Sequence, residues 1–252
     1  MALLMVSVLA KAQFYMGAKV GLNMANITAS YPNMAFNKKF GINGGATVKY
    51  NFQNYLGVQA DVLFSQMGSK SKEVTLSDDG AGGTITTVDE ALYDLPYIQI
   101  PVFVNFEIPI RTENLVPYRL TETVVSVHLC AGGYFGYGLP PSVTYSSKST
   151  TVDVDGNTTI DVAPKTNYVE DPFFAYNPID FGIVAGAGVS FKLSSKGRFT
   201  VDARYMMGMS NMNATGAFLS DFIPFTTMKN KAPQIQLGYI HRISKLKRWQ
   251  IL

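Results

Sequence analysis

Residues 41–66, GINGGATVKYNFQNYLGVQADVLFSQ, form two runs in which apolar residues alternate with polar or small ones. Ile42 and Val48 share one face of the first run, and Val58 occupies the same face of the second run. Successive side chains of a β-strand point to opposite faces, so each run predicts a strand with one apolar face. The short link at 52–55 joins the two strands as a hairpin. What the apolar face contacts decides between the possible folds.

The same alternation recurs along the chain and predicts eight strands, at residues 15–24, 41–52, 56–66, 97–108, 124–138, 179–193, 198–209 and 233–243. Pro101 cannot donate to a strand ladder, so a bulge is expected there. Long polar connections, at 25–39, 68–95, 139–178 and 211–231, alternate with shorter ones. Long and short connections therefore lie on opposite rims of an up-and-down meander.

Three folds could satisfy the apolar face: a two-layer sandwich, a lipocalin-like barrel with that face inside, and a membrane barrel with that face outside. Charged residues make up only 15% of the chain, against about a quarter in ordinary soluble proteins. The second face is rich in glycine, and its charges nearly balance: Lys19, Lys49, Lys192, Arg204 and Arg242 against Asp61, Glu107, Asp180 and Asp202. A narrow barrel interior needs small residues and mutually neutralising charges.

These features predict an all-β fold, an eight-stranded antiparallel up-and-down transmembrane β-barrel in the bacterial outer membrane. The interior of so small a barrel is filled by side chains. We therefore expect Lys19, Lys49, Arg204 and Arg242 to pair with Asp61, Glu107 and Asp202 in a network that plugs the lumen. Aromatic residues near strand ends are expected at the membrane interfaces: Phe40, Phe52, Tyr137, Phe181, Phe191 and Phe199.

The first residues, MALLMVSVLAKAQ, combine an apolar run with a small-x-small pattern at Ala10 and Ala12. This pattern predicts a secretory signal peptide over 1–12, and a truncated start is one explanation of the missing basic region. The barrel is then expected over 13–244. The basic segment KLKRWQIL within 245–252 is expected to be a solvated tail, and no basic patch with interleaved aromatics suggests nucleic acid.

No catalytic or metal-binding pattern is evident, so neither enzymatic activity nor a cofactor is expected. Cys130 is the only cysteine and is expected to be a buried, inert thiol; His128 and His241 lie far apart in the sequence. A serine beside His241 in the fold would revive a hydrolase hypothesis. The segment DVDGN has a calcium-like spacing of Asp153, Asp155 and Asn157, but Asp-Gly between alternating runs favours a hairpin turn.

Five segments, GAKVGLNMANI, the hairpin from Phe40 to Lys70, LPYIQIPVFVNF, CAGGYFGYGL and QIQLGYIHRI, occur in an order that resembles the PorT-like outer-membrane β-barrel family of Bacteroidota. The resemblance implies an eight-stranded outer-membrane barrel. It also implies a possible place in type IX secretion, in which the best-known member of that family takes part.

A plugged barrel would act through its external loops. The segments 68–95 and 139–178 could extend strands beyond the membrane and offer sheet edges to a protein partner. The leading hypothesis is a surface-exposed structural or adhesion-type barrel embedded in outer-membrane lipid. The alternatives are an accessory component of a secretion or transport complex and a soluble lipocalin-like lipid-binding barrel.

Overall fold

A computed structural model describes residues 13–29, 35–53, 55–78, 80–115, 120–152, 154–169, 177–212 and 227–243. The expected signal peptide and basic tail lie outside these ranges. The described residues form strands β1 (Gln13–Ala29), β2 (Ala35–Asn51), β3 (Leu56–Asp78), β4 (Thr84–Leu115), β5 (Leu120–Gly138), β6 (Ser142–Val152), β7 (Thr158–Val162), β8 (Thr166–Val169), β9 (Ile179–Lys192), β10 (Gly197–Gly208) and β11 (Met228–Arg242). Within the same ranges, no helix has the length and apolarity needed to cross a membrane.

Eight strands close into a ring in the order β3, β2, β1, β11, β10, β9, β5, β4 and back to β3. All pairings around this ring are antiparallel. Neighbours in the ring are also neighbours in sequence, except that β6, β7 and β8 intervene between β5 and β9 and that the first strand, β1, pairs with the last, β11, to close the ring. The predicted eight-stranded up-and-down barrel is therefore confirmed.

The apolar register of each strand faces outward. Along β1, Val20 and Leu22 are among the exposed large apolar residues, whereas Lys19 and Asn23, which flank them in sequence, are buried. The other ring strands show the same pattern, with Val104 and Leu129 exposed on the outside. A lipocalin-like barrel would need the opposite orientation, and a sandwich would bury this face between sheets, so both alternatives are excluded.

Strands β3 and β4 continue far beyond the barrel in one unbroken register, from Leu56 opposite Phe106 to Asp78 opposite Thr84. The expected long connection at 68–95 is therefore mostly strand, since β3 ends at Asp78 and β4 begins at Thr84. The expected connection at 25–39 is likewise reduced to 30–34 between β1 and β2. Outside the membrane both faces of a sheet can be polar, so alternation no longer marks a strand there.

The connection expected at 139–178 also contains strands. Strand β6 begins directly after Pro140 and Pro141 and pairs with the part of β4 outside the barrel, from Thr84 to Asp94. Strands β7 and β8 pair in turn with β6. The result is an external sheet in the order β3, β4, β6 and then β7 with β8, which rises from one side of the barrel.

Two further expectations about the connections differ from the structure. Strands β4 and β5 keep pairing through most of 109–121, up to Leu115 opposite Leu120, with irregularities between Pro109 and Thr112. Pro101 lies within β4 without the expected bulge, because the β3–β4 register is the same at Ala60 opposite Val102 and at Leu63 opposite Gln99. The pairing with β3 simply lapses beside the proline, which has no N–H to donate.

Candidate functional site

A cluster of charged side chains crosses the barrel interior around Asp202 of β10. The Asp202 carboxylate accepts a hydrogen bond from Lys19 Nζ at 2.6 Å and lies 2.6 Å from His128 Nε2. Arg204 Nη2 donates to the same carboxylate at 3.4 Å. The side chains of Lys19 and Asp202 are each only 2% exposed. Their charges are thus neutralised by ion pairing inside the barrel instead of by water.

Asp61 of β3 is the second carboxylate of this cluster. It accepts hydrogen bonds from Arg204 Nη1 at 2.7 Å and from Thr47 Oγ1 at 2.5 Å. Gln59 Nε2 adds a third at 2.8 Å, and Lys19 Nζ lies 4.0 Å away. Two carboxylates therefore face two basic side chains, Lys19 and Arg204, an arrangement in which a buried charge is compensated.

Two inward-facing glycines leave the space in which these side chains meet. Gly188 lies opposite both His128 and Asp202 in the sheet. A Cβ atom at Gly188 would come within 2.4 Å of Asp202 Oδ1 and 2.6 Å of His128 Nε2. At Gly238, a Cβ atom would come within 3.0 Å of Lys19 Cγ. The glycine-rich inner register thus makes room for the cluster.

Arg204 also lies over the Phe103 ring, with 4.4 Å between its guanidinium carbon and the ring centroid. Phe103 belongs to β4, on the far side of the ring from β10. This cation–π contact and the Asp61 bond tie Arg204 to the opposite wall of the barrel.

The remaining predicted network residues occupy other levels of the barrel. Lys49 pairs with Glu107 towards the rim of the short turns. Arg242 lies at that rim as well, where Nη2 donates to the Ser195 carbonyl at 2.8 Å instead of joining a carboxylate. Lys192 is half-buried at the end of β9. Lys192 and Arg242 each lie at the end of a strand, away from the cluster around Asp61 and Asp202 at mid-height.

Asp180 of β9 forms a separate cluster with uncharged donors nearer the long-loop rim. Its carboxylate accepts hydrogen bonds from Ser210 Oγ at 2.5 Å, Tyr134 Oη at 3.0 Å and Asn230 Nδ2 at 2.9 Å. None of these donors is a cation. Hydrogen bonds to hydroxyl and amide groups therefore stabilise this buried carboxylate.

The sequence interpretation missed two elements of the interior. Arg198, which starts β10, donates to Ser190 Oγ at 2.9 Å and Ser126 Oγ at 3.1 Å. A cluster of buried apolar residues, the apolar cap, also lies at the outer end of the lumen: Ala25, Ile27, Met67, Ala91, Tyr93, Leu95, Tyr97, Val143, Met212 and Ala232. The signal for this cap was available, because Met67 and Leu95 continue the inward register of their strands.

The six aromatic residues expected at the interfaces lie on the outer surface at both ends of the barrel. Phe191 lies opposite Phe199 across β9 and β10, near the short-turn rim. Phe52, close to the same rim, packs edge-on against Tyr50 at 5.0 Å. Phe40, Tyr137 and Phe181 are exposed towards the long-loop rim.

The outer face of the external sheet carries exposed apolar residues beside polar ones such as Lys148, which lies opposite Val162. The apolar residues of this patch are Val74, Leu76, Val152, Ile160 and Val162, with Val154 in the adjoining turn. Lys70 and Lys72 separate this patch from the lipid-facing residues of β3. Above Lys72 the described pairing of β3 with β2 ends, and β7 lies at the end of the strand order. The sheet thus combines an apolar face with strands whose far edges have no described strand partner.

The residues considered for catalysis or metal binding are placed as follows. His241 contacts the Tyr239 hydroxyl at 3.3 Å, and Cys130 is a buried free thiol. Strands β6 and β7 form the expected hairpin around 153–157, of which Asp153 lies outside the described residues. Within the described part of the chain, no group of three or more His, Cys, Asp or Glu side chains could hold a metal ion.

A closed antiparallel ring with an apolar exterior and a charge-paired interior defines a transmembrane β-barrel. Residues 10–213 match the family described as outer membrane protein beta-barrel domain, and the chain belongs to that family. It is a protein of the bacterial outer membrane. A search of curated proteins finds no match.

Solved structures of outer-membrane barrels are similar to the chain at low sequence identity. Ail, the attachment invasion locus protein of Yersinia pestis, solved with the heparin analogue sucrose octasulfate, is 14% identical, with 90% of this chain and 99% of Ail covered and a TM-score of 0.34. Neisserial surface protein A is 12% identical, with 92% and 99% covered and a TM-score of 0.39. The N-terminal β-barrel domain of Pseudomonas aeruginosa OprF is 8% identical, with 88% and 96% covered and a TM-score of 0.23.

Proposed function

We propose that this protein is a surface-exposed interaction barrel, of structural or adhesion type, that binds a protein partner through its external sheet. The observation that carries the proposal is the extension of β3 and β4 by more than ten residues beyond the lipid-facing band, joined by β6, β7 and β8. So long an extension is not needed to close the barrel. An apolar face beside an open strand edge is a surface to which a partner can add a strand.

The lumen is the less suitable place for function, and we propose that it is plugged. The ion pairs of Asp202 and Asp61 support this proposal at mid-height, and the apolar cap supports it at the outer end.

We also propose that the protein is not an enzyme. His128 is engaged with Asp202 inside the barrel, and the described partner of His241 is a tyrosine, not a serine.

Site-specific photo-crosslinking in intact cells tests the interaction. A photoreactive residue in place of Val162 would sit on the apolar outer face of β7, and one in place of Leu193 would sit at the opposite end of the molecule. We expect a discrete protein adduct from position 162 and not from position 193. The substitution Ile160→Lys should abolish the adduct, because a charge on an edge strand opposes strand addition.

Absence of a protein adduct at position 162, or the same adducts at both positions, would refute the proposal. The identity of the partner decides between the two roles. A partner from outside the cell or its surface supports adhesion. A partner within a membrane complex supports the alternative role as an accessory component of secretion or transport.

Within the family, we propose that this protein is related to the PorT-like proteins of Bacteroidota. The secretion complex of the alternative role would then be that of type IX secretion. The ordered segments that include GAKVGLNMANI and QIQLGYIHRI support this affiliation. Crosslinking from position 162 to a component of that secretion system would be the decisive result in its favour.

A further inference from the structure

A cavity of about 320 Å³ lies against the inner face of the external sheet, outside the lumen. Its lining includes Glu73 of β3, Asp89 and Tyr93 of β4, and Tyr145 of β6. The segment around Pro164, between β7 and β8, closes one side. The cavity is therefore formed by four parts of the chain that are far apart in sequence.

Two carboxylates stand opposite each other on one wall of this cavity. Glu73 and Asp89 are direct partners in the β3–β4 ladder, so their side chains share a face. Like charges in directly opposite positions destabilise a sheet. Among the described residues neither has a basic partner, whereas Glu90 is paired with Lys72 at 3.3 Å. Both carboxylates are exposed at the cavity wall, which thus carries two negative charges that no described basic side chain pairs with.

The base of the cavity is aromatic. Tyr93 is buried and packs against Phe36, with 6.0 Å between ring centroids. Tyr145, opposite Ala91 and further from the barrel than Tyr93, packs against the apolar cap. An aliphatic chain can lie along such rings, and the faces of aromatic rings attract cations.

We infer that this cavity binds an organic cation, an ammonium or guanidinium group carried on a short aliphatic stem. The cationic group would neutralise Glu73 and Asp89, and the stem would contact Tyr93 and Tyr145. An anion would be repelled by the carboxylates, and an inorganic cation would make no use of the apolar base. The cation can come from a lysine or arginine side chain of a protein or from a free diamine. This inference does not depend on edge pairing by β7, because the cavity lies on the opposite face of the sheet from the apolar patch.

Isothermal titration calorimetry of the full-length protein in detergent, with EDTA present, tests the inference. The probes are N-acetyl-arginine amide, 1,5-diaminopentane and the uncharged 1,5-pentanediol. We expect at least one of the two cations to bind and the diol not to bind. Glu73→Gln and Asp89→Asn should each weaken binding at least fivefold, and the double variant should abolish it.

Asp78→Asn is the matched control, since Asp78 is an exposed carboxylate of the same strand at its outer tip. It lies five residues from Glu73, about 17 Å along the strand, and should change the affinity by less than twofold. Tighter binding of the arginine derivative would assign the site to a protein side chain, and tighter binding of the diamine would assign it to a small molecule.

Three results would overturn the inference: neither cation binds, the Glu73 and Asp89 variants bind like Asp78→Asn, or calcium binds to these carboxylates in EDTA-free buffer while the organic cations do not. Faster gel migration of each variant before boiling than after it would show that the barrel is folded. Failure of photo-crosslinking at position 162 would leave these titrations unaffected, so the two proposals can fail separately.

Discussion

Lys19, Asp202 and Arg204 show what residue-level patterns in the sequence can and cannot predict. Their position in the strand alternation predicts correctly that each points inward. It does not predict that Lys19 reaches Asp202, because β11 lies between their strands and the contact depends on the register of two ladders. Gly238 in β11 leaves space beside Lys19. The sequence does not indicate this role of Gly238, because it depends on the register between β1 and β11.

Removing one cation from the interior should destabilise the barrel far more than removing one from the surface. Lys19→Met leaves Asp202 with fewer partners inside the protein, and breaking a buried pair costs about 3–5 kcal/mol. Lys72→Met breaks a pair whose side chains are 52% and 56% exposed, which costs about 0–1 kcal/mol. Urea unfolding in lipid vesicles, followed by the mobility of unboiled samples, measures both. Equal losses would contradict the buried role of Lys19.

A second pair of substitutions tests which outward-facing apolar residues contact lipid and which contact water. Val104 and Val74 are both outward-facing and are 49% and 55% exposed. Val104 lies within the membrane band and Val74 lies beyond it. Val104→Arg should therefore cost about 2–4 kcal/mol, the range for arginine near the bilayer midplane. Val74→Arg should leave the stability in the same urea titration nearly unchanged, and a comparable loss there would argue against this position of the membrane.

At the scale of elements, alternation predicts strands only where the two faces of the sheet meet different media. Within the membrane, one face contacts lipid and the other a polar lumen, so residues 56–66 and 97–108 were recognised as strand. Beyond the membrane the run Ser69–Lys70–Ser71–Lys72 is polar on both faces and resembles a loop. The structure shows that β3 continues through this run because β4 pairs with it in an uninterrupted register.

The external hairpin should be separable from the barrel. Ser71 lies opposite Ala91, so residues 72–90 can be replaced by Asn-Gly, which favours a two-residue hairpin turn. This deletion leaves Ala91 and the rest of the apolar cap in place. We expect unboiled protein from membranes to migrate faster than boiled protein, as for the intact chain, while crosslinking from position 162 is lost. Loss of the fast-migrating form would show that the extension is required for the barrel to fold.

At the scale of the whole molecule, the barrel and the external sheet meet different surroundings. The ring strands present an apolar surface to lipid and hold charges in compensated pairs within. The external sheet and its cavity lie outside the bilayer, where a partner can reach them. The sequence predicted this ring and its orientation from alternation, but the external sheet required pairings between β4 and β6 that no local pattern specifies.

Single-channel recording in planar lipid bilayers tests most directly the claim that the protein acts outside its lumen. We expect no steady conductance from the purified, heat-modifiable protein. Two features of the interior give this expectation: the apolar cap and the charged cluster of Lys19, Asp61, Asp202 and Arg204. A porin measured in the same bilayers provides the positive control. A steady, ohmic conductance from the folded barrel would contradict the account, because it would show an open path through the interior and return the search for function to the lumen.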